Sequence, residues 1–349
     1  MSKNASWFVN RVIYFLIKDP RAANSVVNHL ITTPKDVVIL PFIDHPGPIA
    51  RELLSKNFRS LTVCERDPEL NQQFNAYVKK EFPDKKVQVY TDDLFDLSYK
   101  TWNDGAQERC ASIVRESLDK LDDETRNPDG KVDNCDGRIK LLVPLLKSRY
   151  ESGFLRALYY QMCLRLGLCS NAWIHYYILM SDRQHAYLEA KPCVNMRLYR
   201  SSSVLYNTIF NTKTLESYDL QKCFGIPIRK IQKTSATNNA SYRSVHLVCL
   251  EPRQDVLKQL DPRAFIEFRF LVTQMMHRRT GLVVAFLDRF FDDYKGDIRH
   301  LGIEDSTRSG DMSKEQYFRL FLYLKNRADY KNSTFLQAAA RSEENVFSL

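Results

Sequence analysis

Apolar runs that alternate with amphipathic segments constrain the fold of this chain most, because they recur between residues 37 and 181. The run VVILPFI at 37–43 is continuous, as in a parallel strand buried on both faces, and a tight turn and a helix start follow it. Strands separated by helices predict a mostly parallel sheet covered by helices. We expect strands at 37–43, 60–65, 86–97, 138–146 and 171–181, and helices at 21–31, 68–82 and 151–168.

Two more apolar segments follow this region, and their pattern predicts an antiparallel pair at 224–235 and 243–252 that closes the sheet. After this pair the pattern changes to successive helical segments. The chain has 349 residues, which is long enough for two domains. We predict, in chain order, an N-terminal segment at 1–18, an α/β domain at 19–255 with an acidic insertion at about 100–137, a small helical domain at 256–340 and a mobile tail at 341–349.

The first 18 residues contain Lys3, Arg11 and Lys18 and no acid. This basic, amphipathic composition is typical of a mitochondrial presequence, and it equally suits the first helix of the fold. Apolar runs stay shorter than about 18 residues, so we expect no transmembrane helix and no membrane partner. The eight cysteines are scattered without a CxxC pair, which favours reduced thiols in an intracellular or organellar compartment and predicts no metal site.

Positive charge is concentrated between residues 190 and 250 of a chain whose net charge is +9. Nine Lys and Arg residues stand against two acids there, whereas residues 104–137 hold ten acids and five bases. A basic stretch favours a polyanionic partner, although a solvated surface has the same composition. We expect nucleic-acid contacts from this stretch and from two later arginines, namely Arg197, Arg200, Lys213, Arg229, Lys230, Lys233, Arg278 and Arg279. Three tyrosines are candidates for base stacking or for core packing: Tyr199, Tyr206 and Tyr242.

Three residues lie where parallel sheets bind ligands, outside the carboxyl ends of the strands. Gly47 lies in the first turn, Glu65 follows the second strand and Asp93 follows the third. A carboxylate at position 65 can accept hydrogen bonds from a ribose, and one at position 93 can accept an adenine amino group. This pattern suits S-adenosyl-L-methionine better than a dinucleotide, because no second glycine follows Gly47. The alternatives are a surface acid at position 65 and solvated Asp92 or Asp96 beside Asp93.

Several short motifs occur in the order found in the rRNA adenine N6-dimethyltransferase family. They are FLIKDPRAANSVVNHL at 15–30, HPGP at 45–48, CERDPEL at 64–70, TDDLFDL at 91–97, LLVPLLKSRYESGFLRALYYQM at 141–162, VHLVCLEPRQDVL at 245–257 and HRRTGLVVAFLDRFF at 277–291. The chain resembles this family over most of its length, and more narrowly its mitochondrial branch, the mitochondrial transcription factor B proteins. The resemblance implies a class I S-adenosylmethionine methyltransferase fold with a C-terminal helical domain, and we expect a monomer in the mitochondrial matrix.

The first turn departs from the family pattern. Active members carry a second glycine there, where this chain has Pro48 and Ile49 after Gly47. Proline offers no N–H, and isoleucine adds a branched side chain where backbone should approach the cofactor. The sequence therefore leaves open whether S-adenosyl-L-methionine binds through Gly47, Glu65 and Asp93.

The catalytic motif departs further. The family places an asparagine, an apolar residue, a proline and an aromatic residue after the fourth strand, and these align with Leu142, Val143, Pro144 and Leu145. Leucines thus replace the hydrogen-bond acceptor and the stacking ring for a flipped adenine. Tyr150 or Tyr159 could supply a ring from the next helix, although tyrosines in such helices are usually packing residues. We predict a methyltransferase fold that is weak or inactive as an enzyme.

The resemblance implies a function other than methylation. We expect a transcription initiation factor that binds promoter DNA with the mitochondrial RNA polymerase and stabilises the melted strand. Two alternatives stay open. One is a mitochondrial small-subunit rRNA adenine N6,N6-dimethyltransferase that uses S-adenosyl-L-methionine, and the other is a non-catalytic assembly factor that binds rRNA.

Overall fold

The structure of the protein is a computed structural model that describes residues 17–41, 47–94, 97, 104–118, 139–145, 148–170, 174–224, 243–291 and 298–347. These residues contain seven strands, which are β1 Val37–Leu40, β2 Ser60–Cys64, β3 Val87–Tyr90, β4 Ile139–Leu145, β5 Ile174–Ser181, β6 Phe210–Asp219 and β7 Ser244–Pro252. The strands form one sheet in the order β3-β2-β1-β4-β5-β7-β6. Strands β3, β2, β1, β4 and β5 run parallel to one another, and β7 is antiparallel to β5. The predicted mostly parallel sheet with an antiparallel strand near its end is confirmed.

Helices connect and cover these strands. In the described residues they are α1 Pro20–Leu30, α2 Pro48–Ser55, α3 Pro68–Glu81, α4 Asp104–Leu118, α5 Ser148–Leu164, α6 Asp182–Glu189, α7 Ser201–Ile209, α8 Leu220–Phe224, α9 Gln254–Leu257, α10 Pro262–His277, α11 Val283–Phe290, α12 Lys314–Lys325 and α13 Thr334–Phe347. Helix α4 lies within the segment expected to be an acidic insertion, yet its Cys110, Ile113 and Val114 are fully buried. Part of that segment therefore belongs to the core of the α/β fold, as the crossover between β3 and β4.

Asp-Pro pairs start three of the helices. Asp19 precedes α1, Asp67 precedes α3 and Asp261 precedes α10, and each carboxylate accepts a hydrogen bond from a backbone N–H of the first turn. The proline that follows has a fixed φ and lacks an N–H, which suits the first helical position. Local contacts within the sequence therefore determine where these helices begin.

The centre of the sheet explains the continuous apolar runs. All residues of β1 and β2 are buried, because helices cover both faces of the parallel strands. A single apolar cluster joins α1, α2, α3 and the sheet through residues such as Val38, Leu53 and Phe74. This cluster supports the carboxyl ends of β1 and β2, where the candidate ligand site lies.

The last strand pair differs from the prediction. The sheet neighbour of β7 is β6 at Phe210–Asp219, whereas the predicted partner segment 224–235 begins at Phe224, the last residue of α8, and otherwise lies outside the described residues. Strand β6 is at the edge of the sheet, and most of its residues are polar and partly or fully exposed. An edge strand needs no continuous apolar run, so the pattern that revealed the central strands did not reveal this one.

The chain divides into two compact units, Met1–His185 with Thr212–Pro252 and Ala186–Asn211 with Arg253–Leu349. The second unit is helical, and α10 packs against α7, α12 and α13 within it. Its core is aromatic, with ring centroids 5.5 Å apart for Phe268 and Phe321 and 5.3 Å apart for Phe270 and Phe335. This unit includes α7, which the sequence placed in the α/β domain. Helix α13 continues to Phe347, so most of the segment expected to be a mobile tail is helical.

Some predictions fall outside the described residues. These include residues 1–16 of the possible presequence at 1–18 and the loop at 127–137 within the acidic segment. In the part of the chain that the structure describes, no helix is both long enough and apolar enough to span a membrane. None of the described cysteines is in a disulfide, and all of them except Cys193 are buried.

Candidate cofactor and nucleic-acid site

Glu65 follows β2 directly, and the structure shows that it is not a surface acid. The residue is only 2% exposed. Its Oε1 accepts a hydrogen bond from the N–H of Asp67 at 3.0 Å, and its own N–H donates to the carbonyl of Tyr90 at 2.9 Å. The Asn71 amide donates to the Glu65 carbonyl at 2.8 Å. Glu65 is therefore a fixed and buried carboxylate at the carboxyl edge of the sheet.

Asp92, the first of two adjacent acids after β3, forms an ion pair with Arg109. Asp92 Oδ2 accepts hydrogen bonds from Arg109 Nη2 at 2.7 Å and Nε at 3.0 Å, and the guanidinium lies over the Tyr90 ring at 5.3 Å. The hydrogen bond to Asp92 is the main cause that raises the pKa of Arg109. Asp92 is thus held by Arg109 on α4, and Asp93 remains a candidate for a ligand contact by its position after β3. The sequence did not reveal this ion pair, because its partners lie on different elements.

The turn after β1 is described from Gly47 onward. Gly47 is the N-cap of α2 with φ of −69° and ψ of 165°, a conformation that any residue can adopt. Pro48 occupies the first helical position, and the Ile49 side chain is 1% exposed within the core cluster below the turn. The prediction that Ile49 crowds the cofactor is therefore wrong, because its side chain packs into the core. The missing N–H of Pro48 remains a departure from the family pattern.

The aligned catalytic motif lies inside β4. Val143 pairs with Ile178 and Pro144 with Leu179 on β5, and Leu145 is the last residue of the strand. Leu142 and Val143 are fully buried, and Leu142 belongs to the core cluster. Leu142 and Val143 are aliphatic and face protein, so they offer neither an acceptor nor a ring to a flipped base. Of the two tyrosines that could replace the ring, Tyr159 is 4% exposed, whereas the side chain of Tyr150 is outside the described part.

A buried acid that the sequence did not single out lies near this edge of the sheet. Glu151 on α5 is 1% exposed and accepts hydrogen bonds from Ser181, the last residue of β5, through its N–H at 2.8 Å and its hydroxyl at 2.7 Å. Burial raises the pKa of Glu151 to about 7, although the Ser181 hydrogen bonds and the charge of Arg183 act in the opposite direction. Glu151 therefore titrates in the neutral range and ties α5 to the end of β5.

Four of the predicted nucleic-acid contacts lie in the second unit, close together. Arg279 Nη1 donates to the carbonyls of Met196 and, at 3.3 Å, Tyr199, so the end of α10 lies beside the segment that carries Arg197 and Arg200. Arg197, Arg200 and Arg278 are exposed, and the Arg200 guanidinium is 4.7 Å from the centre of the Tyr187 ring. We call these three exposed residues and Arg279 the arginine cluster. Arg279 connects the end of α10 to the segment at 196–199 through its hydrogen bonds to the Met196 and Tyr199 carbonyls.

The other candidates are placed differently. Lys213 is exposed on β6 in the first unit, whereas Arg229, Lys230, Lys233 and Tyr242 lie outside the described residues. Tyr199 is 3% exposed and its hydroxyl donates to the Met312 carbonyl at 2.8 Å, and Tyr206 is 7% exposed. These two tyrosines are therefore packing residues, which was the alternative interpretation.

Comparisons with solved structures support the fold. No protein-family model matches the sequence, and no curated protein matches it significantly in sequence. Among solved structures, the dimethyladenosine transferase from Plasmodium falciparum superposes with a TM-score of 0.56 at 10% identity, covering 89% of this chain and 97% of the other. The 23S rRNA methyltransferase ErmE superposes with a TM-score of 0.54 at 14% identity, covering 89% of this chain and 100% of the other. With its strand order and antiparallel β7, the chain has the class I methyltransferase fold.

Proposed function

We propose that this chain binds nucleic acid through its methyltransferase-fold unit and its arginine cluster, and that it does not methylate adenine at an enzymatic rate. In the cell it acts as a mitochondrial transcription initiation factor. It binds promoter DNA with the mitochondrial RNA polymerase and holds the melted strand. A fold whose relatives accept an extruded base needs little change to hold a single strand.

The buried aliphatic stretch of β4 carries this proposal. In the family that the chain resembles, the motif at this position orients the amino group of a flipped adenine and stacks on its ring. A leucine at position 142 leaves that amino group unpaired, at a cost of about 1–3 kcal/mol, and lost stacking removes roughly 1–3 kcal/mol more. Together these losses lower the rate by about one to four orders of magnitude. The fold is thus retained without the groups that methyl transfer requires.

The residues present fit S-adenosyl-L-methionine only in part. Glu65 and Asp93 stand at adjacent strand ends, where carboxylates can accept hydrogen bonds from a ribose and an adenine. Glu65 is covered by protein, however, and Pro48 removes one backbone N–H from the turn that should face the rest of the cofactor. We therefore derive no reaction step through this cofactor.

The arginine cluster supports a polyanionic partner. Its exposed guanidinium groups, Arg197, Arg200 and Arg278, are suited to bidentate contacts with phosphates. Such contacts bind without regard to base sequence. They serve equally for promoter DNA and for rRNA, so the cluster alone does not choose between the two.

The second candidate function is adenine N6,N6-dimethylation of mitochondrial small-subunit rRNA, and a third is rRNA binding without catalysis. The position of Glu65 at the end of β2 supports the second, and the likeness of fold to an rRNA methyltransferase and to a dimethyladenosine transferase is compatible with both. Each would use the same nucleic-acid surface as the proposed transcription factor. Catalysis and polymerase dependence therefore have to be measured separately.

Two assays on the full chain separate these functions. The first measures transfer of labelled methyl groups to small-subunit rRNA, with the Plasmodium dimethyladenosine transferase as a positive control. The second measures initiation by the cognate mitochondrial RNA polymerase from a duplex promoter and from a pre-melted one. We expect no methyl transfer above background, and stimulation on the duplex promoter only. If initiation from the duplex is unchanged by the added protein, the proposed transcription role is wrong.

A further inference from the structure

Three potential metal ligands meet on one face of the sheet, at the opposite edge from Glu65 and Asp93. They are His175 at the start of β5 and Cys249 and Glu251 near the end of β7. Their ligand atoms all lie within 4.8 Å of one another, and Cys249 Sγ is 3.9 Å from Glu251 Oε1. Cys249 is buried, whereas His175 and Glu251 are half-buried.

The strand register explains why these side chains converge. Tyr177 pairs with Cys249 and Tyr176 with Leu250 across the antiparallel β5–β7 pair, so the next step places His175 opposite Glu251. Residues two apart on a strand share a face, and directly paired residues do too. The three ligands therefore lie on one face of a single ladder, on the two rungs that flank the Tyr176–Leu250 rung, and this ladder is a rigid part of the fold.

We propose that His175, Cys249 and Glu251 form a binding site for a divalent cation of the zinc class. Imidazole nitrogen, thiolate sulfur and carboxylate oxygen are the three ligand types that zinc takes in proteins. Ligand atoms about 2.0–2.3 Å from a tetrahedral ion lie roughly 3.3–3.8 Å apart, so small side-chain rotations close the observed spacing. Three protein ligands leave the fourth position to water or to an incoming group.

Charge balance favours an ion at this place. A thiolate, a carboxylate and a neutral imidazole around a doubly charged ion give a site without net charge, which limits the cost of burial. The thiol proton of Cys249 passes to solvent as the sulfur–metal bond forms. Tyr177 hydrogen-bonds the Cys249 sulfur and can orient it, as outer partners of metal ligands do.

One cation already lies on this face, and it is neutralised. Lys140 pairs with His175 across β4 and β5, but its Nζ is 2.9 Å from Asp36 Oδ2 and 2.7 Å from Thr32 Oγ1. Both partners of this ion pair are buried, with side chains 4% and 3% exposed. Asp36 is therefore committed to Lys140, and the pair neither supplies a ligand nor adds net charge beside the site.

Cobalt titration of the purified, metal-stripped full chain tests the proposal. Co²⁺ reports on zinc sites, since a cobalt–thiolate bond gives an intense near-ultraviolet charge-transfer band. We expect this band to saturate at one Co²⁺ per chain and to disappear when Zn²⁺ is added. Cys249→Ser should abolish the band, whereas Cys193→Ser, which removes the exposed thiol, should leave it unchanged. No band in the wild-type protein, or a full band in Cys249→Ser, overturns the site.

Two further variants keep the test decisive if Cys249→Ser does not fold. His175→Gln and Glu251→Gln replace half-buried ligands and should weaken Co²⁺ binding by at least about 100-fold, the upper end of the effect of losing an outer partner. Both should keep the thiolate band at saturating Co²⁺. Unchanged affinity in both variants would mean that the ion, if bound, is held elsewhere. This test does not depend on nucleic-acid binding or on methyl transfer, so it is independent of the proposed function.

Discussion

At the scale of single residues, Leu142 occupies a position in the core that aligns with a catalytic residue of the family that the chain resembles. The aligned family residue is an asparagine, yet here the leucine side chain is fully buried in the core cluster and pairs with Tyr177 in the sheet. Leu142→Asn should therefore not restore methylation. We expect it to lower the free energy of unfolding by at least about 2 kcal/mol, because a buried amide loses its hydrogen bonds to water.

Urea unfolding followed by circular dichroism measures this effect. Leu142→Met is the matched control, since a volume-conserving exchange usually costs less than about 1.5 kcal/mol. A Leu142→Asn protein that is as stable as the wild type and methylates adenine would show that position 142 still faces a catalytic pocket.

Glu151 gives a pH dependence whose sign can be worked out. Burial raises the pKa of its carboxyl from 4.5 in the ordinary case to about 7. Below about pH 4.5 the acid is protonated in both states, and above about pH 7 it is ionised in both. Between these values only the unfolded state ionises, so Glu151 makes the folded state less stable as pH rises, by about 3 kcal/mol in all.

Glu151→Gln should remove this dependence. The neutral amide can still accept a hydrogen bond from the Ser181 N–H, and it carries no charge to bury. We expect the variant to match the wild type near pH 4.5 and to be the more stable protein at about pH 8. The free energy of unfolding at both pH values checks this, and a variant less stable than the wild type at about pH 8 would contradict it.

At the scale of elements, the apolar pattern was sufficient to predict the buried strands and the edge strand β3, but insufficient to predict the other edge strand, β6. The central strands carry continuous apolar runs such as VVIL of β1, which only a doubly covered strand needs. Strand β6, with the sequence FNTKTLESYD, lies at the edge and is largely exposed, so its few apolar residues did not mark it. The physical reason is that a strand has a continuous apolar run only where both of its faces are buried, and β6 is largely exposed.

The same distinction applies to the candidate sites. The positions of Glu65 and Asp93 at strand ends could be predicted, because Glu65 directly follows β2, Asp93 comes shortly after β3, and parallel strands bring their ends together. The Asp92–Arg109 ion pair and the His175–Cys249–Glu251 group could not, because they depend on which strands and helices become neighbours. The spacing of the cysteines gave no indication of a metal site. The proposed ligands His175 and Cys249 are far apart in the sequence and meet only through the register of β5 and β7.

The arginine cluster yields a prediction about salt. On single-stranded DNA, each arginine that neutralises a phosphate contributes about 0.7 to the magnitude of the slope of log binding constant against log salt concentration. Arg197→Gln and Arg278→Gln should therefore each weaken binding to single-stranded DNA and lower the magnitude of the slope by about 0.7. Arg279 is unsuitable for this test, because its loss would release the Met196 and Tyr199 carbonyls.

Fluorescence anisotropy at several salt concentrations measures the slope. Lys331→Gln is the control, because it removes one exposed positive charge from the same unit outside the cluster. Slopes that stay at the wild-type value in both arginine variants would place the nucleic acid on another surface.

At the scale of the whole molecule, the effect of a ligand on the free energy of unfolding shows whether this fold binds that ligand. A ligand that binds only the folded state stabilises it by about 2.7 kcal/mol at 100 times its dissociation constant, and by about 0.4 kcal/mol when it merely equals that constant. The chain keeps the methyltransferase sheet and the fixed carboxylate of Glu65, but the turn at Pro48 lacks an N–H. Stabilisation by S-adenosyl-L-methionine therefore reports whether the strand ends beside Glu65 bind this cofactor.

We expect about 1 mM S-adenosyl-L-methionine to raise the Tm of the full chain by less than about 1 °C, and saturating single-stranded DNA to raise it by several degrees. Glu65→Gln tests the remaining pocket, since it removes one negative charge while keeping an oxygen to accept the Asp67 N–H. Its Tm should respond to the cofactor as the wild-type Tm does. A wild-type rise of several degrees that Glu65→Gln abolishes would instead show a working cofactor site and favour the rRNA dimethyltransferase over the transcription factor.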